Sequence, residues 1–123
     1  MQEIELRGKK YPVLFDLDAV EQIQKRYGDV KQLAERFTDI AETKWIMTLL
    51  VNEGLKYRAY ELNMPAEQVT EEQMGVLLTY KDLQNGALID AVVAAFNDSL
   101  GDSSKNLTAE QLTTIGKKIL TTN

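Results

Sequence analysis

The chain has 123 residues, with 14 Lys and Arg against 19 Asp and Glu for a net charge of −5, 44% hydrophobic and 27% charged residues, and neither Cys nor His. That length suits one domain with a single core. Without Cys or His, disulfides, thiol nucleophiles, His-based triads and the usual zinc ligands are excluded; an acidic chain with no Lys or Arg run repels phosphate backbones and anionic lipid, which argues against nucleic acid and membrane as partners.

There is no apolar run of transmembrane length and no basic-then-apolar amino terminus, so the expected location is the cytoplasm. Any catalysis would rest on carboxylates, Lys, Tyr or hydroxyls. That inventory lowers the expectation of an enzyme, and no cofactor or metal is expected.

Residues 2–15 alternate as two strands around Arg7-Gly8-Lys9-Lys10. A Gly8-Lys9 loop, with glycine supplying the positive φ of the first loop position, sets Leu6 opposite Tyr11, Ile4 opposite Val13 and Gln2 opposite Phe15. Glu3, Glu5, Arg7 and Lys10 then form a solvated face, with Pro12 and Leu14 less well placed on it. An isolated hairpin is marginal in water, so its apolar side must lie on helices.

After Phe15 the period lengthens to about 3.6, placing Leu17, Val20, Ile23 and Tyr27 on one helical stripe that Gly28 ends. A short stripe follows at Val30, Leu33, Ala34 and Phe37. Asp39 with Glu42 has capping-box spacing and opens a helix from Ile40 to Leu62. Its apolar residues, Trp45 to Leu55, cover more than half its girth, which marks it as the central helix.

Asn63-Met64-Pro65 interrupts the pattern, and Thr70 with Gln73 restarts it as a second capping box ahead of Met74, Leu77 and Leu78. A joint near Thr79 to Lys81 precedes Asp82, read as the cap of a helix carrying Leu88, Ile89, Val92, Val93, Phe96 and Leu100. GDSSKN, residues 101–106, is linker-like. Thr108 and Gln111 then precede the amphipathic stripe Leu112, Ile115, Ile119. The expected fold is α+β and mostly α: an amino-terminal hairpin on a bundle of five to six helices, organised as a domain over 2–100, a linker over 101–107 and a terminal helix over 108–120.

PVLFDLDAV, residues 12–20, resembles the first motif of the haloacid-dehalogenase phosphatases, in which the first Asp attacks phosphorus and the second handles the proton. Leu100-Gly101-Asp102-Ser103 resembles their magnesium-binding loop. Such an enzyme needs its Asp pair at the carboxyl edge of a central parallel strand, and no strand run separates Asp18 from Gly101. Asp18 is also followed by Ala19-Val20 where that family has Gly-Thr. Asp16 or Asp18 is therefore read as a helix cap.

Trp45, alone in mid-helix, reads as core before it reads as a partner anchor. Glu71 and Glu72 are first-turn carboxylates favoured by the helix dipole. Tyr57, Tyr60 and Met64 read as a half-buried helix end before they read as candidate partner contacts; Leu112, Ile115 and Ile119 are candidate contacts too, and the terminal stripe fits either folding back on the domain or docking elsewhere.

The hairpin followed by FDLDAVEQIQKRYG resembles the start of the small phage tail assembly chaperones, whose hairpin runs into a Phe-Asp-x-Asn/Asp-Ala helix with a Tyr-Gly end. Residues 70–101, TEEQMGVLLTYKDLQNGALIDAVVAAFNDSLG, resemble their second half. The resemblance covers residues 2–101 and carries no catalytic residue. It implies a non-enzymatic prophage-type protein of the host cytoplasm that binds the tape-measure protein, recruits tail-tube subunits and is absent from the mature virion; a long repetitive target favours many copies, through avidity or a homo-oligomer. Members are often made in two lengths by ribosomal frameshifting, and a chain stopping at Asn123 is the expectation for the shorter. The alternative is a generic helical adaptor for another partner, and the phosphatase is the weaker one.

Overall fold

In the computed structural model, which describes residues 1–28 and 33–99, the strands β1 (Gln2–Leu6) and β2 (Lys9–Val13) pair antiparallel, Gln2 with Val13, Ile4 with Tyr11 and Leu6 with Lys9. The turn is Arg7-Gly8, one residue earlier than the expected Gly8-Lys9. Both residues have positive φ, 51° and 81°, as a type I′ turn requires. Arg7 accepts this conformation while its Nε donates to the Val76 carbonyl at 2.8 Å. The pairing thus slips by two residues, a full side-chain period, so the side chains expected to share a face still do.

Five helices follow: α1 (Leu17–Tyr27), α2 (Ile40–Leu62), α3 (Glu71–Leu77), α4 (Tyr80–Gln84) and α5 (Ala87–Ser99), with a 3-10 turn at Ala34–Thr38 before α2. The fold is α+β and mostly α, as expected. Leu100, the 101–107 linker and the 108–120 helix lie outside the described residues, as does Val30.

The hairpin lies between α2 and α5. On one face Gln2 donates to Asp98 of α5 at 3.1 Å, and Phe15, just past β2, meets Phe96 edge-on with centroids 5.1 Å apart. On the other face Glu3 pairs with Arg58 of α2 at 3.2 Å, and the Leu14 N–H donates to the Leu50 carbonyl in mid-helix at 3.1 Å. The expectation that Pro12 and Leu14 share a solvated face is thereby corrected. Pro12 is buried and Leu14 half-buried, because Gly54 of α2 has no side chain to hold the strand away.

α2 has the expected bounds and the expected central place. Ile46, Met47, Leu50 and Val51 are fully buried and join Leu6, Val13, Ile23, Met74, Leu88 and Val92 in one core. Burying side chains of this size stabilises by about 1.5–3 kcal/mol each before entropy is counted.

The caps show where spacing predicted correctly and where it did not. The Asp16 carboxylate accepts from Ala19 N at 2.8 Å and caps α1. Leu17 is 86% exposed, and Ala19 takes its place beside Ile23, which is buried as expected. Asp39 caps α2, yet Glu42 does not complete the box; its carboxylate turns to Arg26 at 2.6 Å. The Thr70–Gln73 box forms in both directions. A second full box, Thr79 with Asp82, starts α4, so Asp82 is its third residue and not the cap of the long helix. Gly86 at φ 75° breaks the chain, and the Asn85 side chain accepts from Ala87 N at 2.9 Å where α5 begins.

Candidate partner-binding surface

The end of α2 is closed by a Schellman arrangement: Asn63 adopts the left-handed conformation, Met64 N donates to the Ala59 carbonyl at 3.0 Å, and Asn63 N donates to the Tyr60 carbonyl at 3.3 Å. This turns the chain sharply and leaves the apolar residues around it outside the core. Tyr57 is 45% exposed, Tyr60 84% and Met64 52%, and Leu62 is exposed beside them. The three candidates within the described residues are therefore all accessible. Leu112, Ile115 and Ile119 lie outside the described residues.

The loop beyond Met64 is held by one side chain. Asn52 of α2 donates to the Val69 carbonyl and accepts from Val69 N, both at 2.8 Å. A side-chain amide can satisfy a backbone pair in this way because it carries both donor and acceptor. Two grooves border this loop. One of about 70 Å³ is lined by Leu55, Ala59, Met64 and Pro65, and one of about 380 Å³ lies between Tyr11, Val69, Val76 and Leu77; Glu67 lines both. An open apolar groove with a polar rim suits a partner's side chains.

The Asp-x-Asp stretch was the other candidate. Asp16 and Asp18 come together with Glu53 of α2, one oxygen from each lying within 4.8 Å of the others. These are the residues that could hold a metal, but an ammonium is already there: Lys56 lies 2.9 Å from Glu53 and 3.1 Å from Asp18. Glu53 and then Asp18 hold that ammonium above its ordinary range. Burial pushes the Glu53 carboxyl up, Lys56 opposes this, and the nearby Asp16 adds to it. Asp16 is spent on capping, and among the described residues the strands form one antiparallel pair, so the parallel-strand edge that a phosphoaspartyl site requires is not present there. Asp102 lies outside the described residues.

Trp45 is half-buried rather than fully in the core. Tyr27 meets it edge-on at 5.8 Å, and the Arg26 guanidinium covers it at 4.4 Å while pairing with Glu42. Glu71 and Glu72 occupy the first turn of α3 as expected.

Sequence reasoning missed Val76, Tyr80 and Ile40, which are exposed. Val76 and Tyr80 lie on short helices, where few turns are available to define a stripe, and Ile40 is the first residue of α2, ahead of its buried turns. Compared with protein-family models, with curated proteins and with solved structures, the chain matches none. Among the described residues no helix is long and apolar enough to cross a membrane.

Proposed function

We propose that the chain is a non-enzymatic assembly chaperone of the phage-tail type, acting in the host cytoplasm to bind the tape-measure protein and bring tail-tube subunits to it. The observation that carries this reading is the cluster of exposed Tyr57, Tyr60, Leu62 and Met64 at the end of α2, beside grooves bordering a pinned loop. Such a surface covers apolar stripes on a helical partner without chemistry. Supporting it is the order of hairpin, capped Phe-Asp-x-Asp-Ala helix and Thr-Glu-Glu helix, the arrangement on which the resemblance rests. A long target favours many copies of the chaperone, through avidity or self-association.

Capture through an amino-terminal tag from cells expressing the native gene with its neighbouring genes tests this. Recovery of the tape-measure protein, lost when Tyr57, Tyr60 and Met64 are changed to Ala, is the expected result. Stable recovery of a different partner would instead assign the same surface to a generic adaptor. Recovery of the tape-measure protein unchanged by the triple substitution would move the contact elsewhere.

A further inference from the structure

From Ala59 to Tyr80 the chain carries four carboxylates, Glu61, Glu67, Glu71 and Glu72, and no Lys or Arg. All four are exposed, and none is in an ion pair among the described residues. The same stretch presents Tyr60, Leu62, Met64 and Val76 to solvent. Glu67 joins the groove beside Met64 to the groove beside Val76, and Glu72 and Val76, four apart on α3, share one helix face. Glu67, between Met64 and Val76, and Glu72, on the helix face of Val76, thus set acidic groups beside exposed apolar ones.

The cations that border this face are engaged with other groups: Arg7 donates from Nε to the Val76 carbonyl at 2.8 Å. Arg58 borders the smaller groove but is held by Glu3, and Lys9 borders the larger one with its ammonium 5.2 Å over the Tyr11 ring. Lys44 approaches α3 at Gly75, in a separate groove. Some exposed acids elsewhere do find partners, Glu21 with Lys25 and Asp18 with Lys56, while Glu5 and Asp90 are in no ion pair among the described residues. The four carboxylates of this stretch are thus in no ion pair among the described residues, beside exposed apolar groups.

We propose that this face binds a basic amphipathic helix of the partner chain, its apolar stripe seated over Met64, Tyr60 and Val76 and its flanking Lys or Arg side chains meeting Glu61, Glu67, Glu71 and Glu72. The assignment rests on reading the end of α2 as a partner surface and adds the partner's charge. Complementary charge would orient the incoming helix and speed encounter, while the apolar contact supplies most of the affinity. The loop that carries Glu67 is held by Asn52, which lowers the ordering cost of binding.

The test uses the full chain and two labelled synthetic helices of equal length with the same leucine stripe, one with Lys and one with Glu on the polar face, followed by fluorescence anisotropy. The Leu/Lys helix should bind at least about tenfold more tightly than the Leu/Glu helix, with the advantage shrinking as salt rises. Combined Glu67→Lys and Glu72→Lys should remove the preference, whereas Glu21→Lys on α1 should leave it. Equal binding of the two helices, or equal damage from Glu21→Lys, overturns the charge assignment while the apolar surface stands. Failure of both helices to bind the parent chain and its Leu112→Asp, Ile115→Asp variant alike overturns the surface reading itself. Binding that emerges only after Leu112→Asp and Ile115→Asp assigns the face to the chain's own 108–120 segment and overturns the choice of an outside partner.

Discussion

Pro12 of β2 and Gly54 of α2 touch so closely that a Cβ at Gly54 would lie 2.8 Å from the proline Cβ and 2.9 Å from its carbonyl carbon and oxygen. Two of those three atoms are backbone, so they cannot swing aside. This contact sets how near the strand comes to the central helix, and with it the hydrogen bond from Leu14 N to the Leu50 carbonyl.

Gly54→Ala pits two effects against each other. Helix propensity favours Ala over Gly by about 1 kcal/mol. Overpacking against a fixed backbone costs about 1–3 kcal/mol, and here the strand must also move away from Leu50. Net destabilisation is expected, read as a lower urea midpoint with an unchanged m-value. A variant as stable as the parent or more so would mean that β2 does not sit against Gly54.

Asp16 offers a separable test of capping against crowding. Asp16→Ala should cost about 0.5–2 kcal/mol through loss of the bond to Ala19 N. Asp16→Asn keeps an acceptor of nearly equal capping strength and removes a negative charge beside Glu53, so it should be at least as stable as the parent at neutral pH. Urea melts of the two variants check this; if Asn proved as costly as Ala, the role of Asp16 would be tied to its charge and not to the cap.

Two glutamates bias stability with opposite signs as pH changes. The Arg26 guanidinium lowers the Glu42 carboxyl, so its contribution is present above the unfolded-chain value of about 4.3 and is lost as pH falls through the folded value. Burial raises Glu53, so its contribution is present below that same value and is lost as pH rises through the folded one. Glu42→Gln should therefore flatten the acid side of a stability profile below about pH 5, and Glu53→Gln should raise stability above it relative to the parent. Chemical melts from pH 3 to 8 would reveal the contrast, and identical profiles for the two variants would contradict it.

What was legible in the sequence follows from the number of residues sharing each signal. α2 extends over six turns with apolar residues on most sides, so its bounds and central place could be read directly. The hairpin's faces were legible because alternation persists across both strands, while the turn was misplaced by one residue because Arg7 takes a positive φ that L-residues seldom adopt. Leu17 matched a helical stripe by spacing, but the cap at Asp16 directs the first turn so that Ala19 points inward. Glu42 had the spacing of a capping box and was drawn off by Arg26, a partner 16 residues away. Spacing within a helix carries no record of such a competitor. Tyr57, Tyr60 and Met64 could be named as candidate contacts but not their degree of exposure, since what leaves them uncovered is the turn at Asn63 and the path of the loop that Asn52 holds.

Arg26 concentrates several of these relations, and its replacement by Lys separates charge from shape. The guanidinium lies 4.4 Å over Trp45 and 5.8 Å from the Tyr27 ring while both of its ends engage Glu42, at 2.6 and 3.3 Å. A lysine keeps the positive charge but has neither the planar face that stacks on indole nor the fork that grips a carboxylate at two points. The side chain is partly exposed, so the ionic share is small; the stacking over an aromatic ring at such a site contributes on the order of 0.5–1 kcal/mol. Arg26→Lys should therefore lower stability by about that amount. Because Trp45 is the single tryptophan, its emission reports the same change locally: uncovering the ring should shift the spectrum to longer wavelength in the folded state. A stability loss without that shift would assign the effect to the Glu42 pair, and a shift without a stability loss would show that Arg26 shields the indole without holding α1 to α2.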